Sequence, residues 1–543
     1  MSRLDAVPAG DPPLTIPALW RQRVAERGDA LLTVCDDERL TYAEADVRSR
    51  RLAKGMIAAG VAKGTHVALL FPNSPDFVVA MLAAARIGAV VLPLSTLSSA
   101  DELGWLLANS DAALLLAARQ YRSQDFTTIL PRAVPGLDIA APVPLFLTSA
   151  PWLRRLHFSG ATAAGSAPGH AIAELEVLGD GIDDALLTAA EDRVVPEDRF
   201  VIIHTSGSTA RPKGVIHRHG TLIRHHANIN AVRAITPDDK LFATSPWFWV
   251  AGFAFGLVGT LVAGSSIACC NAPEADKVLD FIEREAPTMS NGFAPAMVRI
   301  AADPSFPRRD LSSLRRGNLH PIMSPEVRPR DMDLRHNIYG MTEAGGALTM
   351  SADETDQPEH RRGSLGHLLP GFAARLVDPE TGIDCAPGET GELWLQGELL
   401  MEGYYGKERG EVFDADGWWR SGDMVRIDAD GFFFIAGRRG EMIKTAGANV
   451  APKEVEAVLL RLTGASQCIV IGLPDAARGE RVAAVVVGDA PVDEAALIAQ
   501  CAQKLSRFKV PRRIVAMAES ELPMLSSGKL DRPALKAQLM ALG

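Results

Sequence analysis

Apolar and polar positions alternate in two regular ways over the first hundred residues of the chain. Thr41 and Glu44 form the pattern of a capping box, and the apolar positions after them recur at helical spacing. The runs 67–70 and 90–94 are short and apolar, as expected of strands, and 77–86 between them has a helical pattern. This alternation predicts parallel α/β units and therefore a large layered α/β domain.

The pattern changes near residues 437–440, where two glycines flank paired arginines. Beyond this point 454–462 is an amphipathic helix pattern, and 468–471 and 482–487 are strand patterns, which together predict a smaller α+β unit. Glycine accepts large changes in backbone angles, so the segment is suited to be a hinge. We predict domains at 1–437 and 438–543, a hinge near Gly440 and a mobile C-terminal domain.

Residues 241–273 contain no charged side chain, and Gly252 and Gly256 form a GxxxG pattern. Hydropathy alone would favour a membrane span here. Pro246 and several serines and glycines interrupt the run. We therefore predict a buried segment and no transmembrane helix.

Composition limits the classes of function. The chain has 543 residues, 47% hydrophobic and 22% charged, which is enough for at least two domains. A net charge of −10 argues against a general nucleic-acid binder. The six cysteines include no CxxC pair, and the N-terminus has no apolar signal core. Reduced thiols and a cytoplasmic location are the expectation.

The segment 205–214 carries four hydroxyls, two glycines and Lys213, directly after the strand-like run 201–203. Glycines admit anionic oxygens close to backbone amides, and Lys213 supplies a positive charge. The pattern predicts a polyphosphate loop at a strand end. It is not a Walker A loop, because Pro212 and Gly214 stand where that motif needs glycine and a hydroxyl. A plain Ser/Thr/Gly linker is the alternative.

This loop resembles the phosphate loop of the adenylate-forming superfamily, which includes acyl-CoA synthetases, firefly luciferase and nonribosomal peptide adenylation domains. Further motifs follow in the order of that family, and the resemblance extends from about residue 40 to residue 532. The matching segments are 339–343 (YGMTE), 391–393 with Gly397, 421–423 (SGD), 437–438, 443–456 and 527–530 (SGKL).

The resemblance implies roles for individual residues in ATP binding. Lys529 would bridge the substrate carboxylate and the phosphate, Glu343 would help to coordinate Mg²⁺, and Thr342 would contact the α-phosphate. Asp423 and Arg438 would bind the ribose, Tyr339 would stack on the adenine, and Gly340 would be a further ATP- or AMP-binding residue. The residues expected around the β- and γ-phosphates are Thr205, Ser206, Gly207, Ser208, Thr209 and Lys213.

The resemblance also implies a second half-reaction, in which the small domain rotates and a thiol reaches the acyl group. Lys444, Gly447 and Ala448 would then line a coenzyme A tunnel. Gly440 stands where the family usually has Asp or Lys, which removes a side-chain contact but retains backbone freedom. The stretch 507–511 resembles one that is common in CoA ligases, and it favours coenzyme A over a carrier protein.

The acyl pocket is expected at 246–252, with Trp247, Phe248, Trp249 and Gly252. Amino-acid adenylating domains place an Asp here to hold an ammonium group. This segment offers no such partner, so an amino acid is disfavoured. An aryl, alicyclic or fatty acid fits better. The alternative is that these aromatic side chains only fill the core, which we expect for at least one of them.

Three regions carry weaker expectations. The sequence at 317–323 departs from the family's adenine loop, and His320 is given no role. The segment 121–198 matches no motif and is expected to contain a surface excursion. Four histidines that follow the phosphate loop are interpreted as lying on a helix surface, because sequence cannot show the closed geometry of a metal site. They are His217, His219, His225 and His226.

Together these patterns predict an ATP- and Mg²⁺-dependent acid:CoA ligase that makes an acyl adenylate and then an acyl-CoA. An acyl-AMP ligase that loads a carrier protein is one alternative, and a non-catalytic nucleotide-binding regulator is another. The expected partners are a small carboxylic acid, ATP and coenzyme A, with no nucleic acid. The sequence leaves a homodimer open.

Overall fold

The computed structural model describes residues 12–160, 170–205, 212–292, 294–445, 448–475, 479–505, 508–525 and 529–542. The chain divides into two compact units. The N-terminal unit comprises Met1–Gly363, Leu369–Phe372 and Gly397–Val412, and the C-terminal unit comprises Ser364–Leu368, Ala373–Gln396 and Phe413–Gly543. A large α/β unit and a smaller unit confirm the predicted fold class. Movement about a hinge at Gly440, between domains 1–437 and 438–543, stays a prediction.

The larger sheet of the N-terminal unit contains eight of the described strands. Its order is Gly403–Tyr404, Lys213–Arg218, Arg199–Thr205, Val90–Pro93, His66–Leu70, Ala112–Ala117, Arg155–Phe158 and His170–Ala171. The last six are parallel, whereas Lys213–Arg218 is antiparallel to both of its neighbours. Parallel strands covered on both faces read as continuous apolar runs, as predicted at 67–70 and 90–94.

A second sheet of the same unit contains six of the described strands. Their order is Arg316–Gly317, Met289–Asn291, Lys240–Ala243, Ser266–Cys269, Leu31–Cys35 and Glu38–Thr41. The first five are parallel, and the last closes a hairpin. Short hairpins add Gln120–Tyr121 with Gln124–Asp125 and Tyr339–Met341 with Gly346–Met350.

Helices cover these sheets. The α-helices of the N-terminal unit are Ile16–Arg27, Tyr42–Ala58, Pro75–Arg86, Ala100–Asn109, Phe126–Ala133, Ile172–Leu178, Asp184–Asp192, His219–Val232, Gly259–Ala263, Ala275–Glu285, Ala294–Ala301 and Arg409–Val412. The predicted capping box is confirmed: Thr41 Oγ1 accepts from Glu44 N at 3.2 Å, and Glu44 Oε2 accepts from Thr41 N at 2.8 Å. These bonds satisfy two backbone donors at the helix start.

One side-chain amide connects the ends of the two sheets. Asn73 follows the strand His66–Leu70, and its Oδ1 accepts from Trp247 N at 2.8 Å. Its Nδ2 donates to Ser245 O at 3.1 Å, just beyond the strand Lys240–Ala243. Both sheets therefore present the carboxyl ends of parallel strands at one place, which is where α/β folds bind ligands.

Most of the charge-free run 241–273 is buried inside the N-terminal unit, as predicted. It forms the strand Lys240–Ala243, the π-helix Ala251–Val258, a short α-helix and the strand Ser266–Cys269. Every residue of the π-helix after Ala251 is buried. Among the described residues, no helix is both long and apolar enough to cross a membrane.

The segment 121–198 is more than the surface excursion that we predicted. Its strand Arg155–Phe158 pairs with Ala112–Ala117, and Leu156 and Phe158 lie in the core on one side of the larger sheet. The helix Phe126–Ala133 buries Leu130 in the same cluster. The sequence did not predict these core elements, because the segment matches no family motif and its many Ala, Pro and Gly residues give no clear periodic pattern.

The C-terminal unit contains two antiparallel-rich sheets and three described α-helices. One sheet has the order Ala373–Val377, Thr390–Gln396, Trp419–Ile427 and Phe433–Arg438. The other has the order Ala448–Val450, Ile443–Thr445, Gly479–Val487 and Cys468–Asp475, with Arg513–Met517 paired to Gly479–Val487. The helices are Pro452–Thr463, Glu494–Ala502 and Arg532–Ala541, so the predicted helix at 454–462 and strands at 468–471 and 482–487 are confirmed.

The four histidines after the phosphate loop are buried, so the prediction of a helix surface was wrong. His217, His219, His225 and His226 each have 0% of their surface exposed. His219 stacks on Phe200 at 4.8 Å between ring centroids, and its Nδ1 accepts from Ile16 N at 3.2 Å. The helix His219–Val232 packs inward, and His219, His225 and His226 share its inner face with Leu222 and Ile229, whereas His217 lies on the preceding strand Lys213–Arg218.

A buried ionic network lies in the core of the N-terminal unit. Arg86 and Glu191 have side chains that are 1% exposed, and they form an ion pair that Asp46 and Arg21 extend. Arg86 Nε also donates to Ser49 Oγ at 3.1 Å. Breaking a buried pair leaves one charge uncompensated in a medium of low dielectric constant. The network therefore fixes the relative positions of the helices that carry it.

We expect Glu191→Leu to lower the free energy of unfolding by about 3–5 kcal/mol, because Arg86 loses its buried partner. Urea unfolding measured by circular dichroism checks this. Asp192→Asn is the matched control, since Asp192 also pairs with Arg21 but is 58% exposed. The control should change the free energy by less than about 1 kcal/mol. Equal effects of the two substitutions would contradict a special role for the buried pair.

His219 predicts a dependence of stability on pH. Burial lowers its pKa from 6.5 to about 3, with Asp198 raising the pKa and Lys63 lowering it to smaller extents. Below pH 6.5 the unfolded chain binds a proton at this residue and the folded protein does not. The stabilisation from neutral His219 is therefore complete above pH 6.5 and is lost as the pH falls towards 3.

The variant His219→Gln should be less stable than the wild type at pH 7.5 but less sensitive to acid. Between pH 7.5 and pH 5 the wild type should lose roughly 2 kcal/mol more than the variant. Urea unfolding of both proteins at the two pH values measures this difference, and the other titrating groups cancel in the comparison. Equal losses would show that His219 does not stay neutral in the folded protein.

Candidate functional site

The phosphate loop leaves the larger sheet between two antiparallel strands. Arg199–Thr205 leads into it and Lys213–Arg218 leads out, with Thr205 paired to Lys213. The loop's Ser206, Gly207, Ser208 and Thr209 lie outside the described residues. Gly214 keeps the strands close at the loop's base, because a Cβ atom there would meet Ile202 Cγ2 at 2.8 Å. Lys213 and Thr205 thus lie side by side at the carboxyl end of a parallel strand, as predicted.

Lys213, Tyr404 and Glu343 form the polar centre of the N-terminal unit's candidate site. The Lys213 ammonium lies 5.2 Å from the centroid of the Tyr404 ring. Tyr404 Oη donates to Glu343 Oε1 at 2.8 Å. The aromatic ring thus separates the predicted phosphate cation from the predicted metal carboxylate. No sequence motif pointed to Tyr404, because its partner Glu343 lies 61 residues away in the chain.

Thr342 and Glu343 lie in the tight turn Thr342–Ala344, which follows the strand Tyr339–Met341. Gly345 has φ +71°, and a Cβ atom on it would meet Leu222 Cδ2 at 2.7 Å and His217 Cε1 at 3.4 Å. Only glycine accepts both the backbone angle and the close approach. The turn therefore packs closely against the buried side chains of Leu222 and His217.

Three carbonyl oxygens of this turn accept hydrogen bonds from other parts of the N-terminal unit. His217 Nε2 donates to Thr342 O at 2.6 Å, and His226 Nε2 donates to Gly345 O at 3.1 Å. Met401 N donates to Glu343 O at 2.8 Å. Irregular backbone that is buried needs such partners, so these bonds hold the turn in place.

The predicted adenine contacts begin in the hairpin that precedes this turn. Tyr339 pairs with Thr349, and Gly340 pairs with Ala347. A Cβ atom on Gly340 would meet Gly346 O at 2.4 Å, so this position needs glycine for the hairpin itself. The structure explains Gly340 by close packing. Its part in ATP or AMP binding stays a prediction, as does the stacking of Tyr339 on adenine.

The atypical loop at 317–323 is held by an asparagine. Asn318 Oδ1 accepts from Gly292 N at 3.1 Å, and Asn318 Nδ2 donates to Gly292 O at 2.8 Å. Gly317 has φ +122°, and a Cβ atom there would meet Ser290 O at 2.0 Å. The loop thus follows the parallel strand Arg316–Gly317, and the Asn318 side chain ties it to the backbone of Gly292 beyond the neighbouring strand. Burial lowers the pKa of His320 to about 4, which keeps its ring neutral.

The predicted acyl-pocket residues differ in burial. Trp247 is fully buried and packs edge-on against Phe77 at 5.7 Å, as part of the main core. Phe248 is 4% exposed, whereas Trp249 is 36% exposed and contacts Phe248 at 5.5 Å. Trp247 and Phe248 are thus both buried, in keeping with our expectation that at least one of the three aromatics fills the core. A Cβ atom on Gly252 would meet Pro246 O at 2.1 Å, so the turn into the π-helix requires glycine.

The predicted ribose residues lie in the C-terminal unit. Asp423 and Arg438 pair across neighbouring strands, and Arg438 Nε lies 2.6 Å from Asp423 Oδ1. Asp423 is 3% exposed, and its backbone N donates to Ser421 Oγ at 3.0 Å. Ser421 Oγ in turn donates to Leu393 O at 2.7 Å. The two residues that the motifs named separately are therefore in direct contact.

The remaining predicted residues also belong to the C-terminal unit. Lys529 is exposed and directly precedes Leu530, which forms a bridge with Met524, and Lys529 O accepts from Leu525 N at 2.7 Å. Gly447 and the side chains of Lys444 and Ala448 lie outside the described residues, although Lys444 pairs with Asn449 in a hairpin. Gly440 lies in the turn Arg439–Glu441, and a Cβ atom there would meet nothing within 4 Å.

Glu343 is suited to take part in binding a divalent cation. Among the described residues, no group of three or more His, Cys, Asp or Glu side chains is arranged to hold a metal. Mg²⁺ differs from metals bound in protein cages, because it keeps several waters and is held by one or two carboxylates together with substrate phosphates. A single carboxylate beside a phosphate loop fits that mode of binding.

Comparisons with known proteins agree with this geometry. A family model described as AMP-binding enzyme matches residues 20–405, and one described as AMP-binding enzyme C-terminal domain matches 454–529. The chain is 30% identical over 521 residues to the putative acyl-CoA synthetase YngI of Bacillus subtilis, covering 94% of this chain and 93% of that protein. It is 32% identical over 506 residues to a feruloyl-CoA synthase of Amycolatopsis sp, covering 90% and 92%.

Among solved structures, ATP-bound MatB from Rhodopseudomonas palustris matches with a TM-score of 0.77 at 26% identity, covering 96% of this chain and 98% of that one. The family models, the sequence relatives and this structure agree over nearly the whole chain. The chain belongs to the AMP-binding enzyme family, in its acyl-CoA synthetase branch.

Proposed function

We propose that this protein is an AMP-forming acid:CoA ligase that acts on an apolar carboxylic acid. The observation that carries the proposal is the arrangement of Lys213, Tyr404 and Glu343 at the base of the phosphate loop. It places a cation on one side of a tyrosine and a carboxylate on the other. Such an arrangement suits a nucleoside triphosphate that binds together with a divalent cation.

In the first step a carboxylate oxygen of the acid attacks the α-phosphorus of ATP. The bond from this phosphorus to the oxygen that bridges it to the β-phosphorus breaks, and pyrophosphate leaves. Lys213 and the loop hydroxyls Thr205, Ser206, Ser208 and Thr209 would bind the departing phosphates. Thr342 would bind the α-phosphate. Mg²⁺ held in part by Glu343 would supply charge neutralisation.

In the second step the sulfur of coenzyme A attacks the acyl carbonyl of the adenylate, and AMP leaves with the bonding electron pair. Lys529 would act in the first step by bridging the carboxylate and phosphate oxygens. The hairpin with Lys444, Gly447 and Ala448 would line the thiol path in the second step. Rotation about Gly440 would replace Lys529 by this hairpin at the adenylate. Asp423 and Arg438 would hold the ribose. The proposal rests on the motif order and on the matched family models.

The acyl pocket favours an apolar acid. Trp249, which is 36% exposed, is the aromatic side chain of the pocket motif with surface to offer a ligand. No carboxylate stands in the segment 246–252, so an ammonium group would be left unpaired there. The similarity to a feruloyl-CoA synthase supports an aryl acid within the apolar class.

Release of AMP and pyrophosphate should be measured with Mg-ATP on benzoic, cinnamic, alicyclic, medium-chain and long-chain acids, each with and without coenzyme A. We expect AMP release that depends on coenzyme A for one acid class. Exchange of pyrophosphate without stimulation by coenzyme A would identify a carrier-loading enzyme instead. Silence with every acid would contradict a ligase of this substrate class.

Lys529→Ala should reduce adenylate formation by roughly 100-fold or more and leave Mg-ATP binding within about twofold of the wild type. The side chain is exposed and only the backbone oxygen closes the local turn, so folding should be unaffected. Pyrophosphate exchange and calorimetric titration with ATP measure the two quantities. Lys536→Ala is the matched control, since Lys536 pairs with Glu480 at 3.1 Å elsewhere in the C-terminal unit. Unchanged exchange in Lys529→Ala would overturn its role.

A further inference from the structure

The strand that leaves the phosphate loop carries two polar residues on one face. Lys213 and His217 are four positions apart on the strand Lys213–Arg218, so their side chains point to the same side of the sheet. Tyr404 pairs with Val215 between them and therefore lies on this face too. Lys213 approaches Tyr404, and His217 bonds the turn that carries Glu343. Residues on one face of this strand thus contact both Tyr404, beside the predicted phosphate site, and the turn that carries the predicted metal ligand Glu343.

The neighbouring helix contributes the second imidazole. His226 lies one turn beyond Leu222 on the inner face of His219–Val232. Its Nε2 donates to Gly345 O at 3.1 Å, while Leu222 fills the space beside Gly345. The turn is therefore held by hydrogen bonds from a strand and a helix that follow the phosphate loop directly in sequence. The strand Lys213–Arg218 and the helix His219–Val232 both begin within eight residues of the phosphate loop in sequence.

The hydrogen bonds define the chemical state of both rings. A carbonyl oxygen only accepts, so the Nε2 atom of each imidazole must carry a proton. Both side chains are 0% exposed, and among the described residues neither Nδ1 has a hydrogen-bond partner. Each ring is therefore a neutral donor. A lysine or arginine would bring a charge here. An aliphatic residue would remove the side-chain donor to each carbonyl and leave Thr342 O with only the backbone bond from Gly345 N at 2.9 Å.

We infer that His217 and His226 are positioning residues of the adenylation site. By bonding Thr342 O and Gly345 O, they fix the backbone on both sides of Glu343. They thereby set the direction in which the Thr342 hydroxyl and the Glu343 carboxylate point. Neither histidine touches the substrate. The inference rests on the proposed function, because it assigns the histidines to the same nucleotide site.

The role predicts an effect on metal-dependent nucleotide binding more than on acid binding. In His217→Leu, Thr342 O loses its imidazole donor, and the turn should sample other orientations. We expect about tenfold weaker Mg-ATP binding and a higher Mg²⁺ concentration for half-maximal activity, with the KM for the acid within about twofold of the wild type. His217→Gln keeps a side-chain N–H donor and should restore most of the loss.

The experiment compares calorimetric titration of Mg-ATP into the full chain for the wild type, His217→Leu, His217→Gln and His226→Leu. His219→Leu is the matched control: His219 is equally buried in the same segment, but it bonds Ile16 N and not the turn. Thermal midpoints of all variants separate loss of folding from loss of binding. The control should lose stability and keep the wild-type affinity for Mg-ATP when it is folded.

Equal weakening in His217→Leu and His219→Leu would overturn the inference, because it would show a general effect of core damage. Unchanged affinity in His217→Leu would overturn it as well. Failure of the Gln variant to recover affinity would show that the hydrogen bond is not the cause. These titrations need no turnover, so they remain decisive even if no acid is activated and the proposed function fails.

Discussion

Backbone that lies in irregular turns inside the protein must find hydrogen-bond partners, and this constraint shapes the whole candidate site. Around the candidate site the chain leaves its strands in irregular turns, some after parallel strands and one, Thr342–Ala344, after the hairpin strand Tyr339–Met341. Asn73, Asn318, His217 and His226 each supply side-chain bonds to such a turn. Without them the buried N–H and C=O groups would cost free energy. The predicted site residues Thr342 and Glu343 thus stand on backbone whose carbonyl groups have partners.

The same constraint explains why several glycines stand beside these polar side chains. Gly317 lies against Ser290 O, and Gly345 lies against Leu222 and His217. At both positions φ is positive, and a Cβ atom would meet an atom at less than 3 Å. The turn can approach its donor only because no side chain intervenes. A motif that looks permissive in sequence is thus a site of close packing.

Much of the fold could be predicted from the sequence, because its signals are local. The capping box at Thr41 and Glu44 involves atoms three residues apart, and the apolar runs at 67–70 and 90–94 reflect burial of each strand on both faces. The histidines could not be placed in this way. His217 is buried by a turn 125 residues away in the chain, and nothing near it in sequence reports that contact. The alternation of Lys213, Val215 and His217 on one strand face was the signal available. For the candidate site, the ordered motifs named Asp423 and Arg438 separately, and only the structure brings them into contact.

Backbone freedom near the predicted hinge depends on two glycines that differ in what the structure requires of them. Gly437 has φ +148°, a backbone angle that other residues rarely adopt. A Cβ atom on it would meet Pro452 Cδ at 3.5 Å. Gly440 has open space around that position and no unusual backbone angle. Glycine is therefore needed at 437 by the fold, whereas at 440 a side chain would fit. The turn Arg439–Glu441 is also tied down: Arg439 pairs with Glu392 at 3.3 Å, and Arg532 pairs with Glu441 at 3.3 Å. The pair of Arg532 and Glu441 is partly exposed on both sides, so it holds the turn weakly and can be exchanged at small cost. Glu392 is only 5% exposed, so loss of its bond to Arg439 would leave a buried carboxylate with one partner fewer and would cost more.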